Sequence, residues 1–284
     1  MTKQLLSKIE GCYSSMSKGH KRITDYITEN YDKAAFMTAA KLGDAVGVSE
    51  STVVRFASEL GFSGYPQLQK TLQEVVKSRL TSVQRMEAAG GEDMLEHAFS
   101  SDIDTIKATR ESISREAFNA SVEAINRAKH IYILGVRSAA SLASFAAFYL
   151  NFVYDSVTLI EPAGTGEAFD QAFRINKVDV CIAISFPRYS KQTINMLRFI
   201  SDRGATVISV TDSENSPIAQ FATHLLLARS SMVSFVDSLV APLSLINALI
   251  AAAASEKSGE VYSNLSSLEN IWDEYQIYQT HEDE

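Results

Sequence analysis

The sequence predicts an all-α domain followed by an α/β domain, the latter a five-stranded parallel sheet with helices on both faces. Three observations carry this. Apolar residues recur at helical spacing from the N-terminus to about residue 128. From His130 to Leu227, short apolar runs of strand length alternate with stretches of helix length, the rhythm of βαβ units. At 284 residues, 46% of them hydrophobic and 21% charged, the chain has material for two cores. The expected division is an all-α domain over 1–77, a linker over 78–92, and an α/β domain with flanking helices over 93–284, its core at about 124–255.

Residues 5–33 read as helical, with Leu5, Leu6 and Ile9, then Ile23, Tyr26, Ile27 and Tyr31 near a 3.6-residue period, and with breaks expected at Gly11 and Gly19. Thr38 to Val76 reads as three short helices, interrupted at Gly47 and at Gly61-Phe62-Ser63-Gly64-Tyr65-Pro66. Ala88-Ala89-Gly90-Gly91 closes the expected linker. Two helices follow, from about Asp93 to Ser112 and from Ser114 to Ala128, the second capped by Ser114. Strands are then expected at His130–Leu134, Ser156–Ile160, Asp179–Ser185, Thr206–Val210 and His224–Leu227. Helices are expected at Ala139–Phe152, Gly166–Ile175, Lys191–Arg203 and Ser216–Phe221. Runs such as IYIL and VCIAI are apolar at every position, which suits a sheet covered on both faces. A helix over 238–257 and an acidic segment with one apolar face (Leu265, Leu268, Trp272, Tyr275) complete the chain.

Charge is unevenly placed. The first 80 residues hold eleven Lys or Arg against eight Asp or Glu, so their +3 leaves −11 to the remainder of a chain whose total is −8. Only the N-terminal part has the sign that phosphates demand. Cys12 and Cys181 are the two cysteines, which excludes a disulfide framework and a cysteine-based zinc cluster. MTKQLLSKIEGCYSS lacks the apolar core of a secretory signal, so a cytoplasmic location is expected. The longest nearly uncharged stretch, Ser238 to Ser255, contains Pro242, Ser244 and Asn247 and suits a buried helix better than a membrane span.

Thr38 to Phe62, TAAKLGDAVGVSESTVVRFASELGF, has the pattern of a helix-turn-helix. That motif needs a small residue where its helices touch, a glycine at the turn and apolar residues facing a shared core. Gly43 supplies the close approach, Gly47 the turn, and Leu42, Val46, Val48, Val53 and Phe56 the inward face. Ser49 caps the second helix. Ser51, Thr52 and Arg55 then point outward, on the face that enters a major groove, where hydroxyls reach phosphates or base edges and arginine can donate two bonds to guanine. Thr38, Ser49, Ser51, Thr52 and Arg55 are the expected DNA-binding residues, with a double-stranded operator as partner. Lys18, Lys21, Arg22 and Lys41 are candidates for phosphate contacts, which position without specifying.

In a doubly wound sheet, ligands bind beyond the carboxyl ends of the strands, where strand order reverses. For the order 2-1-3-4-5, the loops after the first and third strands, Gly135-Val136-Arg137-Ser138 and Ser185-Phe186-Pro187-Arg188-Tyr189-Ser190, face each other. They offer hydroxyls, two guanidinium groups and helix N-termini, the groups an anion requires. The expected effector residues are Gly135, Arg137, Ser138, Ser185, Arg188, Tyr189 and Ser190. Glu161, after the second strand, is a further candidate, as an acceptor for sugar hydroxyls.

With these residues in view, the chain resembles the RpiR family of regulators, which join a helix-turn-helix to a flavodoxin-like SIS (sugar isomerase) domain. The resemblance rests on GVSESTVVRFASELGFSGYPQLQ, YILGVRSAASLA, CIAISFPRYSKQTI and VISVTDSENSPIAQFATHLLLA. It implies control of genes for sugar or sugar-acid catabolism, a phosphosugar effector, and a homodimer or homotetramer. Where SIS domains usually carry Ser-x-Ser-Gly-Glu-Thr, this chain keeps hydroxyls at Ser185 and Ser190, has Pro187 in place of one hydroxyl, and has Tyr189 in place of the acid. Ala139 stands where a phosphate-binding serine is common, with Ser138 adjacent. Arg137 and Arg188 trade hydroxyl donors for charge, so a sugar-acid carboxylate is an alternative anion.

Two other readings compete. A phosphosugar isomerase needs a base beside the substrate carbonyl, commonly Glu or His. His20, His97, His130, His224 and His281 all lie outside the two loops and the motif's acid is missing, so no catalytic residue, cofactor or metal is expected. Alternatively, the SIS domain serves only to dimerise a DNA-binding protein. Assembly is expected because one helix-turn-helix buries little surface and such modules read two half-sites. The first-helix stripe, helix 238–257 and the tail face are the surfaces available for it.

Overall fold

The computed structural model describes residues 12–77, 81–88, 93–161 and 165–278. The stripe Leu5, Leu6 and Ile9, the Gly11 break, Ala89-Gly90-Gly91 and the acidic 281–284 end lie outside the described residues. Contacts divide the chain into two units, Met1–Glu92 with Ser234–Val236, and Asp93–Val233 with Asp237–Glu284.

The first unit is helical. Its elements are α1 (Lys18–Glu29), α2 (Tyr31–Ala34), α3 (Ala39–Val46), α4 (Glu50–Glu59), α5 (Tyr65–Lys77) and α6 (Ser82–Ala88). Ile23, Ile27, Leu42, Val53, Phe56, Leu68 and Leu72 form its buried interior. The Tyr65 hydroxyl and the Gln69 amide both donate to the Met37 carbonyl, at 2.7 and 2.8 Å, and tie α5 to the turn before α3. Burial pushes the Tyr65 hydroxyl up to about 12, so it stays a donor throughout the neutral range.

Two expectations need correction here. Gly19 does not break a helix: it sits in the first turn of α1, where Ser17 accepts the His20 N–H as N-cap. A glycine in a first turn gives up no interior bond, and a methyl there would touch Thr52 and Val48 at 3.4–3.5 Å, so Gly19 is where α1 meets α4. The segment expected to be linker holds α6. Thr81 Oγ1 accepts the Gln84 N–H and Gln84 Oε1 accepts the Thr81 N–H, a reciprocal box that starts a helix and that composition alone passes over. Arg85, one turn on, is buried.

The second unit begins with α7 (Met94–Ser112) and α8 (Arg115–Arg127), capped by Asp93 and Ser114. There follow β1 (Ile131–Gly135), α9 (Ala139–Leu150), β2 (Val157–Ile160), α10 (Thr165–Ala172), β3 (Val180–Ile184), α11 (Lys191–Asp202), β4 (Thr206–Thr211) and β5 (His224–Leu227). The five strands are parallel in the order β2-β1-β3-β4-β5. Alternate residues feed two cores. Ile131, Ile133, Val180, Ile182 and Ile208 pack under α8, α9 and the long α12 (Val240–Glu256). Tyr132, Leu134, Cys181, Ala183 and Val207 pack under α10 and α11. Strands buried on both faces are why their sequences are apolar without alternation.

Between Ser216 and Phe221 only a single 3-10 turn forms, at Ala219–Phe221, in place of the expected helix. Pro217 brings no N–H, and the Ile218 carbonyl is taken by Ser209 Oγ from β4, which holds the segment against the sheet. A two-stranded antiparallel ribbon, β6 (Ser231–Met232) with β7 (Asp237–Ser238), has no signal in the sequence pattern. The chain continues through α13 (Ser258–Glu274), where the Trp272 ring packs edge-on against Phe152. Among the described residues, no helix is long and apolar enough to cross a membrane.

Candidate functional site

In the helical unit, the turn between α3 and α4 follows from two glycines. A Cβ at Gly43 would lie 2.8 Å from the Val48 carbonyl oxygen, so only glycine leaves that approach undisturbed. Gly47 ends α3 with φ +66°, the left-handed conformation that costs glycine little. Arg22 Nη1 donates to the Gly47 carbonyl at 3.2 Å, and a methyl on Gly47 would collide with this guanidinium. Arg22, a candidate for phosphate contact, is thus engaged with the turn itself.

The expected DNA-facing residues gather around α4. Ser49 is its N-cap, accepting the Thr52 N–H, and its hydroxyl lies 2.9 Å from Ser51 Oγ and 2.8 Å from Thr52 Oγ1. Glu50 occupies the first turn, where the helix dipole favours an acid. Ser51 and Arg55 are exposed and Thr52 is half-buried. Thr38 caps α3 through the Lys41 N–H. Lys18 and Lys41 are exposed, and Lys21 Nζ sits 5.4 Å from the Tyr13 ring centroid. His20 Nδ1 lies 2.7 Å from Glu59 Oε2, joining α1 to the far end of α4.

In the sheet unit, the strand order reverses between β1 and β3. Gly135 pairs with Ile184 across these strands, so the loops 136–138 and 185–190 leave the same sheet edge from neighbouring strands. At Gly135 a Cβ would fall 2.6 Å from the Ala139 carbonyl and 2.8 Å from the Ala143 methyl, so α9 can start directly over the strand only above a glycine. Arg137 is exposed and adopts φ +58°, left-handed without being glycine. Ser138 is exposed and its hydroxyl makes no cap bond to α9.

On the facing loop, Ser185 is buried and its N–H donates to the Val210 carbonyl. Arg188 is exposed, and Ser190 caps α11 by accepting the Gln192 N–H. Tyr189 donates its hydroxyl to Asp212 Oδ1 at 2.6 Å, and Thr211 Oγ1 donates to the same oxygen. Burial, then the adjacent Asp212 charge, raises the Tyr189 pKa far above its ordinary value, so the phenol remains protonated. Asp212 and Thr211 stand at the carboxyl end of β4 beside this loop and were missed by the sequence reading. Their signal was the hydrophilic Thr211-Asp212-Ser213 ending an apolar strand, one strand beyond the expected crevice. Glu161 is exposed, and its backbone is held by the Gln171 side chain through two bonds.

A helix-turn-helix unit carried on the same chain as a doubly wound sheet is the architecture of a transcriptional regulator with its own sensing domain. A model described as a helix-turn-helix domain of the rpiR family matches residues 3–79, and a SIS-domain model matches residues 124–252. Together these cover most of the sequence, and the chain belongs to the RpiR family of helix-turn-helix transcriptional regulators.

Similar proteins include an HTH-type transcriptional regulator of Haemophilus influenzae, 25% identical over 230 residues (78% of this chain, 79% of the relative). Another is the regulator HexR of Pseudomonas aeruginosa, 25% identical over 233 residues (78% of this chain, 77% of the relative). Among solved structures, the sugar isomerase domain of an RpiR transcription factor from Sphaerobacter thermophilus is 27% identical and superposes with a TM-score of 0.60. It covers 63% of this chain and 99% of its own. The Vibrio vulnificus NanR protein, complexed with ManNAc-6P, shares the fold at 23% identity and a TM-score of 0.59, over 95% of this chain and 98% of its own.

Proposed function

We propose that this chain is a cytoplasmic regulator of carbohydrate-catabolism genes. A phosphosugar, or a related anionic sugar metabolite, binds at the carboxyl edge of the sheet and changes the chain's affinity for a double-stranded operator. The observation that carries the reading is the pairing of Gly135 with Ile184, which brings the arginine-bearing and hydroxyl-bearing loops of β1 and β3 to one edge. Arg137 and Arg188 supply charge-assisted donors to the anion, and Ser138, Ser185 and Ser190 add hydroxyls. Tyr189, held by Asp212, forms the polar wall on the β4 side. NanR's complex with a phosphorylated amino sugar supports the ligand class.

On the DNA side, Ser51, Thr52 and Arg55 read the major groove, while Thr38 and Ser49 contact phosphate at the two helix N-termini. The assembly is a homodimer or homotetramer, matching an operator with two half-sites. Isomerase activity is not part of this reading. Neither loop offers a carboxylate or imidazole, and Asp212, which meets the second loop at Tyr189, accepts from two hydroxyls.

Thermal shift against phosphorylated sugars, sugar acids and polyols tests the sensing role, because a ligand that binds only the native state raises the melting temperature by mass action. At a hundredfold excess over its Kd, the true effector adds about 2.7 kcal/mol to stability. A flat response across all three classes would leave the sheet as a dimerisation scaffold.

A further inference from the structure

The carboxyl edge of the sheet is sorted by charge along the strand order. β1 and β3, at its centre, lead into cations: Arg137 after β1, then Arg188 and Lys191 after β3, all three exposed. The strands outside them lead into acids. Glu161 follows β2, with Glu167 in the first turn of α10, and Asp212 follows β4, with Glu214 two residues on. Glu161, Glu167 and Glu214 are exposed and Asp212 is half-buried. Arg229, after β5, lies one strand further out, and its backbone N–H donates to Thr109 on α7.

On the β4 side, three side chains have no proton to offer a ligand. Tyr189 gives its single hydroxyl proton to Asp212 Oδ1, and Thr211 gives its own to the same oxygen. An ionised carboxylate only accepts. Burial and the Asp212 charge hold the Tyr189 phenol protonated, so this allocation persists through neutral pH. What the wall presents is acceptor lone pairs and a negative charge.

Register keeps both acidic flanks close to a ligand at the centre. Leu134 lies opposite Ile160, Gly135 opposite Ile184, and Ile184 opposite Val210. Glu161 and Asp212 therefore leave the sheet at nearly the height of the two central loops. Neighbouring strands stand about 4.8 Å apart, which puts β2 and β4 roughly 14 Å apart and an anion over the centre ~7 Å from either. That is inside the ~8 Å Debye length at physiological salt. Whichever flank the remainder of the ligand follows, it meets acceptors and like charge.

We infer that this crevice takes effectors with a single anionic group and an uncharged, hydroxyl-rich remainder, and that Asp212, held by Tyr189 and Thr211, is the specificity-determining residue that rejects a second anion. The inference rests on the proposed sensing role and adds the class of ligand the site accepts. Sugar monophosphates and simple sugar acids qualify, whereas sugar bisphosphates and phosphorylated sugar acids do not. A ligand hydroxyl near Asp212 gains a charge-assisted bond. A second phosphate there, carrying about −1.5 to −2 at neutral pH, meets a carboxylate and no donor among these three side chains.

Isothermal titration calorimetry of the full chain, at fixed salt and millimolar ligand, tests this with matched probes: glucose and fructose monophosphates, each against the corresponding bisphosphate. Wild type should bind each monophosphate at least tenfold more tightly than its bisphosphate. Asp212→Asn keeps the shape and an acceptor for Tyr189 but removes the charge, and should shrink that ratio at least threefold, chiefly by tightening the bisphosphate. The double variant Glu161→Gln/Glu214→Gln, at exposed positions, should act in the same direction by a smaller factor. A bisphosphate that binds wild type as tightly as its monophosphate overturns the inference, as does an unchanged ratio in folded Asp212→Asn. If that variant does not fold, an unchanged ratio in the double variant has the same force. Binding of neither probe class, or binding that survives intact in Arg188→Ala, contradicts the sensing proposal itself and removes the ground for this one. The two failures are thus read from different results.

Discussion

Two left-handed turns, one in each unit, divide the molecule's chemistry. At the end of α3 the left-handed residue is Gly47, with φ +66°; at the end of β1 it is Arg137, with φ +58°. The first is the low-strain solution, and its carbonyl and open Cα accommodate the Arg22 guanidinium. The second places a long charged side chain on a backbone that costs an L-residue on the order of 1–2 kcal/mol. Strain of this kind persists where it serves a site. One turn builds a fold; the other sets an exposed arginine at the sheet edge where we propose the effector binds.

The comparison can be broken most forcefully at Gly135, two residues before Arg137. Gly135→Val drives a side chain into the Ala139 carbonyl and the Ala143 methyl. It should cost about 3 kcal/mol, at the top of the usual overpacking range. Calorimetry should show the loss in the sheet unit while the helical unit's transition stays near wild type. A full-height wild-type transition would mean that α9 does not start over β1 as described.

On the DNA side, Arg55→Ala should weaken operator binding by about 1–3 kcal/mol if the guanidinium reads a guanine. Ser51→Ala should cost less, because its hydroxyl already has Ser49 as a neighbour at 2.9 Å. Operator anisotropy at fixed salt checks both. Equal affinity for folded Arg55→Ala and wild type would remove Arg55 from the groove.

Gly47→Ala and Arg137→Gly sharpen the contrast directly. The alanine acquires the left-handed penalty and collides with Arg22, so the helical unit should lose about 2 kcal/mol. Arg137→Gly relieves the same penalty but gains unfolded-state freedom worth roughly 0.5–1 kcal/mol, leaving the sheet unit unchanged or up to about 1.5 kcal/mol more stable. Denaturant midpoints measure both changes, and the glycine variant should bind effector more weakly despite its stability. A destabilised Arg137→Gly with intact effector affinity would make Arg137 a structural residue.

The same contrast explains what the sequence could reveal. The helix-turn-helix is legible because its determinants lie within 25 consecutive residues: the close approach at Gly43, the turn at Gly47, the cap at Ser49 and the apolar period act through one or two turns of helix. The sheet is nearly as legible, since each strand announces itself as an apolar run. The strand order is one of the common doubly wound orders, and the facing of the β1 and β3 loops was conditional on it until the structure supplied it. What escaped depends on distant partners. Asp212 acquires meaning only when Tyr189, 23 residues earlier, donates to it. The 3-10 turn at Ala219–Phe221 stands where a helix was expected, and the Ile218 carbonyl that starts it accepts from Ser209 on β4 as well as from the Phe221 N–H. Gly19 and α6 are misread for a simpler reason: a glycine in a first turn and a Thr81–Gln84 box contradict the habit of treating glycine as a break and the residues leading to Ala88-Ala89-Gly90-Gly91 as linker.

The central claim, that an anion held between the β1 and β3 loops controls operator binding, is tested most directly by one titration. Operator anisotropy is followed at fixed salt as the effector selected by thermal shift is added to wild type and to Arg188→Ala. Losing one charge-assisted bond to a desolvated anion costs on the order of 1.5–3 kcal/mol. Arg188→Ala should therefore bind the operator like wild type without effector and need at least tenfold more effector for the same change in affinity. An unshifted effector midpoint in Arg188→Ala, with operator affinity intact, would contradict the placement of the anion at this edge.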